Sequence, residues 1–310
     1  MRLRPSITLV IFLASLWTAS AWRDNRVTVD AAAAQANEPT VPLPNKDDSF
    51  KFAVLGGFGT GATTQYQLAD QMAALHERFK YHTVILLGDN LYGRERPQDF
   101  RNKFEVPYKR LLDEGVTFYA SLGHEDSREQ RYYKLFNMDG NLYYTFSPKA
   151  AIHFFALEST YMTPEQVAWL EKELKGSRSD WKIAFFHHPL YSSGRLHGSD
   201  IRLRGVLEPL FLKYDVSVVF SGHDRFYERI KPQKDIAYFV VGSGGTFLAG
   251  NIDRNAGLTA SGFDTDLAFM AAEIIADQMY FNVISRSGQT VDSGMLTRRK
   301  TRTPQRLAPN

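Results

Sequence analysis

Four apolar runs in this sequence each end on a side chain that can bind a metal or move a proton. Residues 84–87 lead into Gly88-Asp89-Asn90-Leu91-Tyr92. Later runs end at His124, His187 and His223, with separations of 35, 63 and 36 residues. A buried strand of an α/β sheet delivers a side chain to the mouth of a cleft in this way. One carboxylate and three imidazoles suit a transition metal such as zinc, iron or manganese. Any one of these histidines alone is as readily a satisfied core residue. Four potential ligands at four strand ends are better explained by a site.

The elements that must hold them are legible in outline. A strand at 52–55 is followed by Gly56-Gly57-Phe58-Gly59-Thr60-Gly61 and a helix with Leu68, Met72, Leu75 and Phe79 on one face. The glycine-rich loop lacks a P-loop lysine and the dinucleotide glycine spacing, which argues against nucleotide binding. A long amphipathic helix is expected at 97–114 and a strand at 116–120. An antiparallel pair is expected at 143–146 and 152–157, turning at Pro148, with His153 a structural histidine. Thr163 caps a helix that begins at Pro164, and Gln166 is placed to close a capping box. Further strands are expected at 182–186, 216–221 and 238–241, with a helix at 203–211 despite Pro209. The loop Gly242-Ser243-Gly244-Gly245-Thr246 would let backbone approach the cleft closely. Residues 268–274, 279–284 and 286–296 read as antiparallel strands. The fold class is therefore α/β, with two facing mixed β-sheets flanked by helices.

Size and composition are compatible with a single large domain. The chain has 310 residues, is 44% hydrophobic and 13% aromatic, and contains no cysteine, which excludes disulfides, thiolate ligands and a cysteine nucleophile. Residues 1–21 read as an export signal, with Arg2 and Arg4, an apolar stretch at 7–17 and Ala19-Ser20-Ala21 as the cleavage pattern. That stretch is too short to span a bilayer, and no later segment is apolar enough to do so. A periplasmic or secreted protein follows as the expectation, with an uncleaved anchor as the alternative. Residues 22–48, rich in Ala, Asn, Asp and Pro, read as a flexible linker. The domain is placed at 49–292 and a basic tail at 293–310. Removing the +2 of the signal and the +4 of residues 291–310 from the net +3 leaves −3 on residues 22–290. An extended nucleic-acid surface is not indicated.

Over residues 52–246 the chain resembles the calcineurin-like metallophosphoesterases, and most of all the purple acid phosphatase branch. Gly88-Asp89-Asn90-Leu91-Tyr92 matches that family's Gly-Asp-x-x-Tyr block completely. His187-His188-Pro189 and Gly222-His223-Asp224 match its His-x-Pro and final histidine blocks, in the family's order. The resemblance implies a four-layer α-β-β-α sandwich. It also implies a metal held by Asp89, His124, His187 and His223, where His124 replaces the family's asparagine. The other metal of the family's pair loses its ligands: Gly57 stands for an aspartate and Arg225 for a histidine, leaving Asp89 and Tyr92. One tightly bound iron, zinc or manganese ion is expected, with a weaker second ion if Glu125, Asp126 or Asp224 can reach it. The ferric-tyrosinate colour is not expected. Restoring Gly57→Asp and Arg225→His is expected to raise occupancy toward two.

By the same resemblance, Glu125 stands where the family has a histidine proton donor, and His197 matches a second one. Arg225 can either balance Asp89 or clamp a phosphate oxygen. The first functional reading is a one-metal hydrolase of a small phosphate ester. The alternative is a catalytically inactive relative that binds a phosphorylated ligand or a protein partner.

Overall fold

Strands expected to carry the site lie in two different sheets whose ends meet. The computed structural model describes residues 40–299. The expected signal, residues 22–39 of the linker and the tail from 300 onward lie outside the described residues.

The chain begins with β1 (Phe50–Leu55), α1 (Thr63–Phe79), β2 (Thr83–Leu87), α2 (Pro97–Phe100), α3 (Lys109–Asp113) and β3 (Thr117–Ser121). It continues with β4 (Tyr144–Lys149), β5 (Ile152–Ala156), α4 (Pro164–Gly176), β6 (Trp181–Phe186), α5 (Ile201–Lys213) and β7 (Val218–Ser221). Then come β8 (Tyr227–Ile230), β9 (Ala237–Val241), β10 (Thr259–Phe263), β11 (Ala268–Ile275), β12 (Gln278–Ser285) and β13 (Thr290–Thr297). One sheet has the order β13-β12-β11-β1-β2-β3 and the other β10-β8-β9-β7-β6-β5-β4. Within them β1-β2-β3 and β5-β6-β7-β9 are parallel, and the outer strands are antiparallel. The expected four-layer sandwich is what forms.

The central strands are continuous apolar runs because both of their faces are covered. Phe52, Val54, Ile85 and Leu87 point between the sheets and meet Phe154, Phe185, Phe220 and Val241 from the other side. Phe52 packs edge-on against Phe154 with ring centroids 5.6 Å apart. The alternate residues Ala53, Leu55, Val84 and Leu86 face outward onto Leu68, Met72, Leu75 and Phe79 of α1. On the far side, Ala184, Phe186 and Val219 receive Leu170 and Leu174 of α4 and Leu203, Leu207 and Phe211 of α5. Each fully buried Val, Leu, Ile, Met or Phe among them contributes about 2 kcal/mol of apolar burial.

Several local expectations are corrected. The helix expected at 97–114 is broken into α2, a π-helical turn at Arg101–Glu105, and α3. Pro107 lacks an N–H and its ring clashes with the preceding turn, which interrupts a regular helix at that point. Pro148 is not in the turn but within β4, an edge strand whose pairing slips between Phe146 and Lys149, where a missing donor does little harm. Thr163 does cap α4, accepting from Gln166 N at 3.2 Å. Gln166, however, turns away to bond both backbone groups of Glu158 at 2.8 Å, so no capping box closes. His153 is structural as expected, bonded to Ser177 Oγ at 2.9 Å.

Residues flanking 49–292 on both sides contact the sheets. Residues 40–48, expected in the linker, are pinned to the sheet: Asn45 N and Lys46 N each donate to the buried Glu273 carboxylate at 2.6 Å, and Val41 N donates to Ser293 Oγ at 2.9 Å. The first residues of the expected tail form the end of β13. Beyond it, Arg298 pairs with Asp277 and Arg299 Nη1 donates to Leu212 O at 2.7 Å. These arginines serve the fold. No helix among the described residues is long and apolar enough to cross a membrane.

Candidate metal centre

Each expected ligand follows a parallel strand: Asp89 after β2, His124 after β3, His187 after β6 and His223 after β7. The first two strands belong to one sheet and the last two to the other, so the site forms only where the sheets meet. Asp89 and His223 hold left-handed backbone, with φ of 49° and 66°. Non-glycine residues in that region carry strain that the surrounding structure must hold in place, a frequent feature of functional sites.

The geometry is close-set. His187 Nε2 lies 3.0 Å from His124 Nδ1 and 3.1 Å from His223 Nδ1. Asp89 Oδ1 lies 3.3 Å from His187 Nε2 and 3.4 Å from His124 Nδ1. Around an ion bound at about 2.0–2.1 Å, neighbouring tetrahedral ligands sit roughly 3.3 Å apart. The observed separations are those of the edges of such a polyhedron. His187 Nδ1 contacts Leu87 O at 2.9 Å, which places its proton there and leaves Nε2 a bare lone pair facing the other ligands. This bond runs from one sheet to the other.

Protonation favours the same use. Burial pushes the His187 imidazole well below its ordinary range, and His188 and His223 add to the effect. Burial, then His188, His197, His124 and Arg225, lowers His223 to about 3. Neutral imidazoles crowded onto one another are poor partners for themselves and good ligands for a cation. Asp89 responds oppositely: burial raises it, against the pull of His124, the Glu125 N–H at 3.2 Å and Arg225. A cation would return it to the ionised form.

His188 is not among the candidate ligands expected from the sequence. Its nitrogens join those of His124, His187 and His223 in a group lying within 4.8 Å of one another. Burial and the nearby His124 lower it to about 4, and its Nδ1 lies 2.9 Å from Ser159 Oγ. The signal was there in the doublet His187-His188. β6 ends at Phe186, so the strand rule that sends neighbours to opposite faces no longer applies.

The expected catalytic residues gather around this cluster. Glu125 Oε1 lies 3.6 Å from His124 Nε2. The His197 ring stacks obliquely over His223, 4.3 Å between centroids, and burial with the charges of His124 and Arg225 lowers its pKa. Arg225 is exposed, with its guanidinium 5.5 Å from the Tyr92 ring and no ion pair among the described residues. The Tyr92 hydroxyl lies in the corner made by Gly57. Burial and Asp89 keep it a neutral phenol.

The calcineurin-like phosphoesterase model matches residues 51–225, which contain every one of these strand ends. The chain belongs to the calcineurin-like phosphoesterase family. Among its relatives, the Fe(3+)-Zn(2+) purple acid phosphatase 12 of Arabidopsis thaliana is 31% identical over 234 residues, covering 64% of this chain and 47% of the relative. The chain spans about half the length of the first curated relatives it matches, at 47–48%. In three dimensions it resembles the purple acid phosphatase PPD1 from yellow lupin, with a TM-score of 0.65, 17% identity and coverage of 83% of this chain and 55% of that one. It equally resembles GAP50, described as the anchor in the inner membrane complex of Plasmodium, with a TM-score of 0.67, 20% identity and coverage of 82% and 90%. At such identities these two likenesses establish the fold.

Gly57, which the resemblance sets where that family has an aspartate, is closely packed. Gly57 has φ +61°, and a β-carbon there would stand 2.6 Å from Gly242 O and 3.1 Å from the Tyr92 hydroxyl. Gly244 N and Gly245 N donate to Gly56 O and Gly57 O at 2.9 and 3.0 Å, holding the Gly242–Thr246 loop against it, as its glycines led us to expect. The expectation that Gly57→Asp with Arg225→His restores a second ion is therefore set aside. The double variant is expected to lose stability, about 1–3 kcal/mol by urea unfolding, and to bind no additional ion. An unstrained variant with doubled metal content would refute this.

Two of the three neighbouring acids, Asp126 and Asp224, are engaged by the fold. Asp126 is fully engaged by Gly123 N, Asn90 N, Leu91 N and Gln130 Nε2 at 2.8–3.1 Å. Asp224 is buried against Ser192, whose hydroxyl donates to Oδ2, and under Gly194. It braces the loop that carries His197. Burial raises the Asp224 carboxyl to about 6.

Proposed function

We propose that the chain hydrolyses phosphate esters at a single transition-metal ion held by Asp89, His124, His187 and His223, with His188 as a further nitrogen donor. The observation that carries this reading is the set of 3.0–3.4 Å separations among Asp89 Oδ1 and the nitrogens of His124, His187 and His223. Iron, zinc or manganese in such a site supplies Lewis acidity toward a phosphoryl oxygen and a water. Arg225, with an exposed guanidinium beside Asp89, binds a phosphoryl oxygen and stands in for part of the lost charge. Glu125 orients His124 through its Nε2. His197 shares a cavity with His223 and is the group placed to protonate the leaving oxygen.

This division of labour has a direct test. An alkoxide leaving group needs a proton and 4-nitrophenolate does not. His197→Ala should therefore slow turnover of an alkyl phosphate by roughly a hundredfold and spare 4-nitrophenyl phosphate. Equal losses on both esters would remove His197 from that role.

Two observations favour the second reading, a non-catalytic relative that binds a phosphorylated ligand or a protein partner. Gly57 leaves no room for the first-site carboxylate, and the GAP50 likeness is to a protein described as an anchor. That reading requires the ion to bind without turnover of any ester.

We also propose that residues 1–21 direct export and that the protein works in the periplasm or outside the cell. An exported protein whose amino terminus is Trp22 is the expected outcome. Full-length protein retained in the cytoplasm would refute it.

A further inference from the structure

The loop that carries His197 is anchored to the residue that follows a metal ligand. Asp224 comes directly after His223 and is fully buried. Its backbone is fixed on both sides: Asp224 N donates to Gly222 O and Phe226 N donates to Asp224 O, each at 2.8 Å. A β-carbon on Gly242 would overlap Asp224 O, so the Gly242–Thr246 loop closes against it as well. Whatever the Asp224 side chain holds is therefore held in register with His223.

It holds the first residues of the loop at 192–199. Ser192 Oγ donates to Asp224 Oδ2 and accepts from Gly194 N at 3.0 Å. Gly194 packs so closely that a β-carbon there would overlap both carboxylate oxygens. The loop closes at its base, where Ser192 N donates to Ser199 Oγ at 3.0 Å and Ser199 Oγ donates to Ser192 O at 3.2 Å. Asn251 secures the outer flank, its backbone O accepting from Arg195 N at 2.8 Å and its Oδ1 from Leu196 N at 3.1 Å. His197 lies between these anchors, with its ring centroid 4.3 Å from that of His223. No hydrogen bond among the described residues fixes the ring itself, so the loop backbone decides where it stands.

The brace is also unfavourable for stability, which sets it apart from ordinary loop packing. Asp224 has no ion pair among the described residues. The Gly198 N–H lies near the carboxylate, yet Oδ1 takes no well-formed hydrogen bond. Burying a carboxylate with one oxygen unpaired destabilises a fold, and such groups in native structures call for another explanation.

We propose that Asp224 is a positioning residue for proton transfer: through Ser192 and Gly194 it sets the His197 imidazole beside the metal ligand His223. The assignment rests on the hydrolase reading above. As the P–O bond to the leaving group breaks, the proton on His197 passes to the leaving oxygen. Water forms the new P–O bond and returns a proton to His197.

The test uses the full chain loaded with zinc and its Ser192→Ala and Asp224→Ala variants. Ser192→Ala removes only the hydroxyl that joins the carboxylate to the loop, so it stays informative if Asp224→Ala folds poorly. The substrates are glycerol phosphate and 4-nitrophenyl phosphate. Ser192→Ala should keep its zinc, lose roughly tenfold in kcat on glycerol phosphate and spare 4-nitrophenyl phosphate, because misplacement of a reacting group is costly only where that group acts. Combined with His197→Ala, it should cause no further loss on glycerol phosphate. Equal losses on both esters, or losses that multiply with His197→Ala, would overturn the proposal. If wild-type protein turns over no ester, the hydrolase reading falls separately and the position of the ring decides. The His197 Hε1 resonance, assigned by its absence in His197→Ala, should shift in Ser192→Ala as the ring moves from its place beside His223. An unchanged resonance would show that the brace does not place His197.

Discussion

Asp89→Asn is expected to weaken metal binding by more than about a hundredfold while leaving the fold intact, since even outer residues around a metal commonly cost 10–100-fold. Asparagine is the informative replacement for two reasons. Residue 89 sits at φ 49°, a conformation that asparagine tolerates far better than alanine. Its side-chain oxygen also keeps the acceptor for the Glu125 N–H, 3.2 Å away. What is lost is the negative charge set among imidazoles that burial holds neutral. Asp89→Ala should lose metal as well, with added backbone strain, and His223→Ala should do so at φ 66°. Metal content by mass spectrometry of the native protein, with far-UV circular dichroism as the folding check, reads the outcome. Full metal content with unchanged affinity in Asp89→Asn would mean that the carboxylate is not a ligand.

Gly123→Ala should be as damaging, through sterics. Gly123 precedes His124 at the end of β3, and a methyl group there would overlap both the backbone nitrogen and Oδ1 of Asp89. It would also come within 2.9 Å of His187 Cε1. These contacts are backbone and ligand, so neither can yield without opening the junction of the sheets. A loss of about 3 kcal/mol in unfolding free energy is expected, together with loss of the ion. A variant of wild-type stability and metal content would show that the loop adjusts freely, against the close packing described here.

Why some of this was legible in the sequence and some was not has physical reasons. β2, β6 and β7 are buried on both faces, so each reads as an unbroken apolar run whose end is easy to see. The side chains delivered there were found for that reason. β8, Tyr227–Ile230, escaped because Glu228 and Arg229 break the run. Glu228 is buried nonetheless, accepting from Ser193 N at 2.9 Å, and Arg229 bonds Asp292 at 2.8 Å. β10 is an edge strand with Gly262 and carries too little apolar signal.

At the site, sequence order supplied Asp89, His124, His187 and His223 but not the direction of side chains in loops. That is why His188 was overlooked. It is also why Asp126 and Asp224 were credited with a reach they do not have. The approach of Gly242 O to within 2.6 Å of where a β-carbon on Gly57 would stand is likewise invisible in the letter Gly, although it bears on whether a carboxylate can be put back.

The central claim is a single rebuilt metal site that performs hydrolysis. The most direct measurement is metal content per chain on protein purified without chelator, followed by turnover of an aryl phosphate with and without added Mn²⁺, Zn²⁺ and Fe²⁺. One tightly bound ion and turnover that Asp89→Asn removes are the expected result. Two tightly bound ions, or a folded protein that repeatedly carries neither metal nor activity, would contradict it.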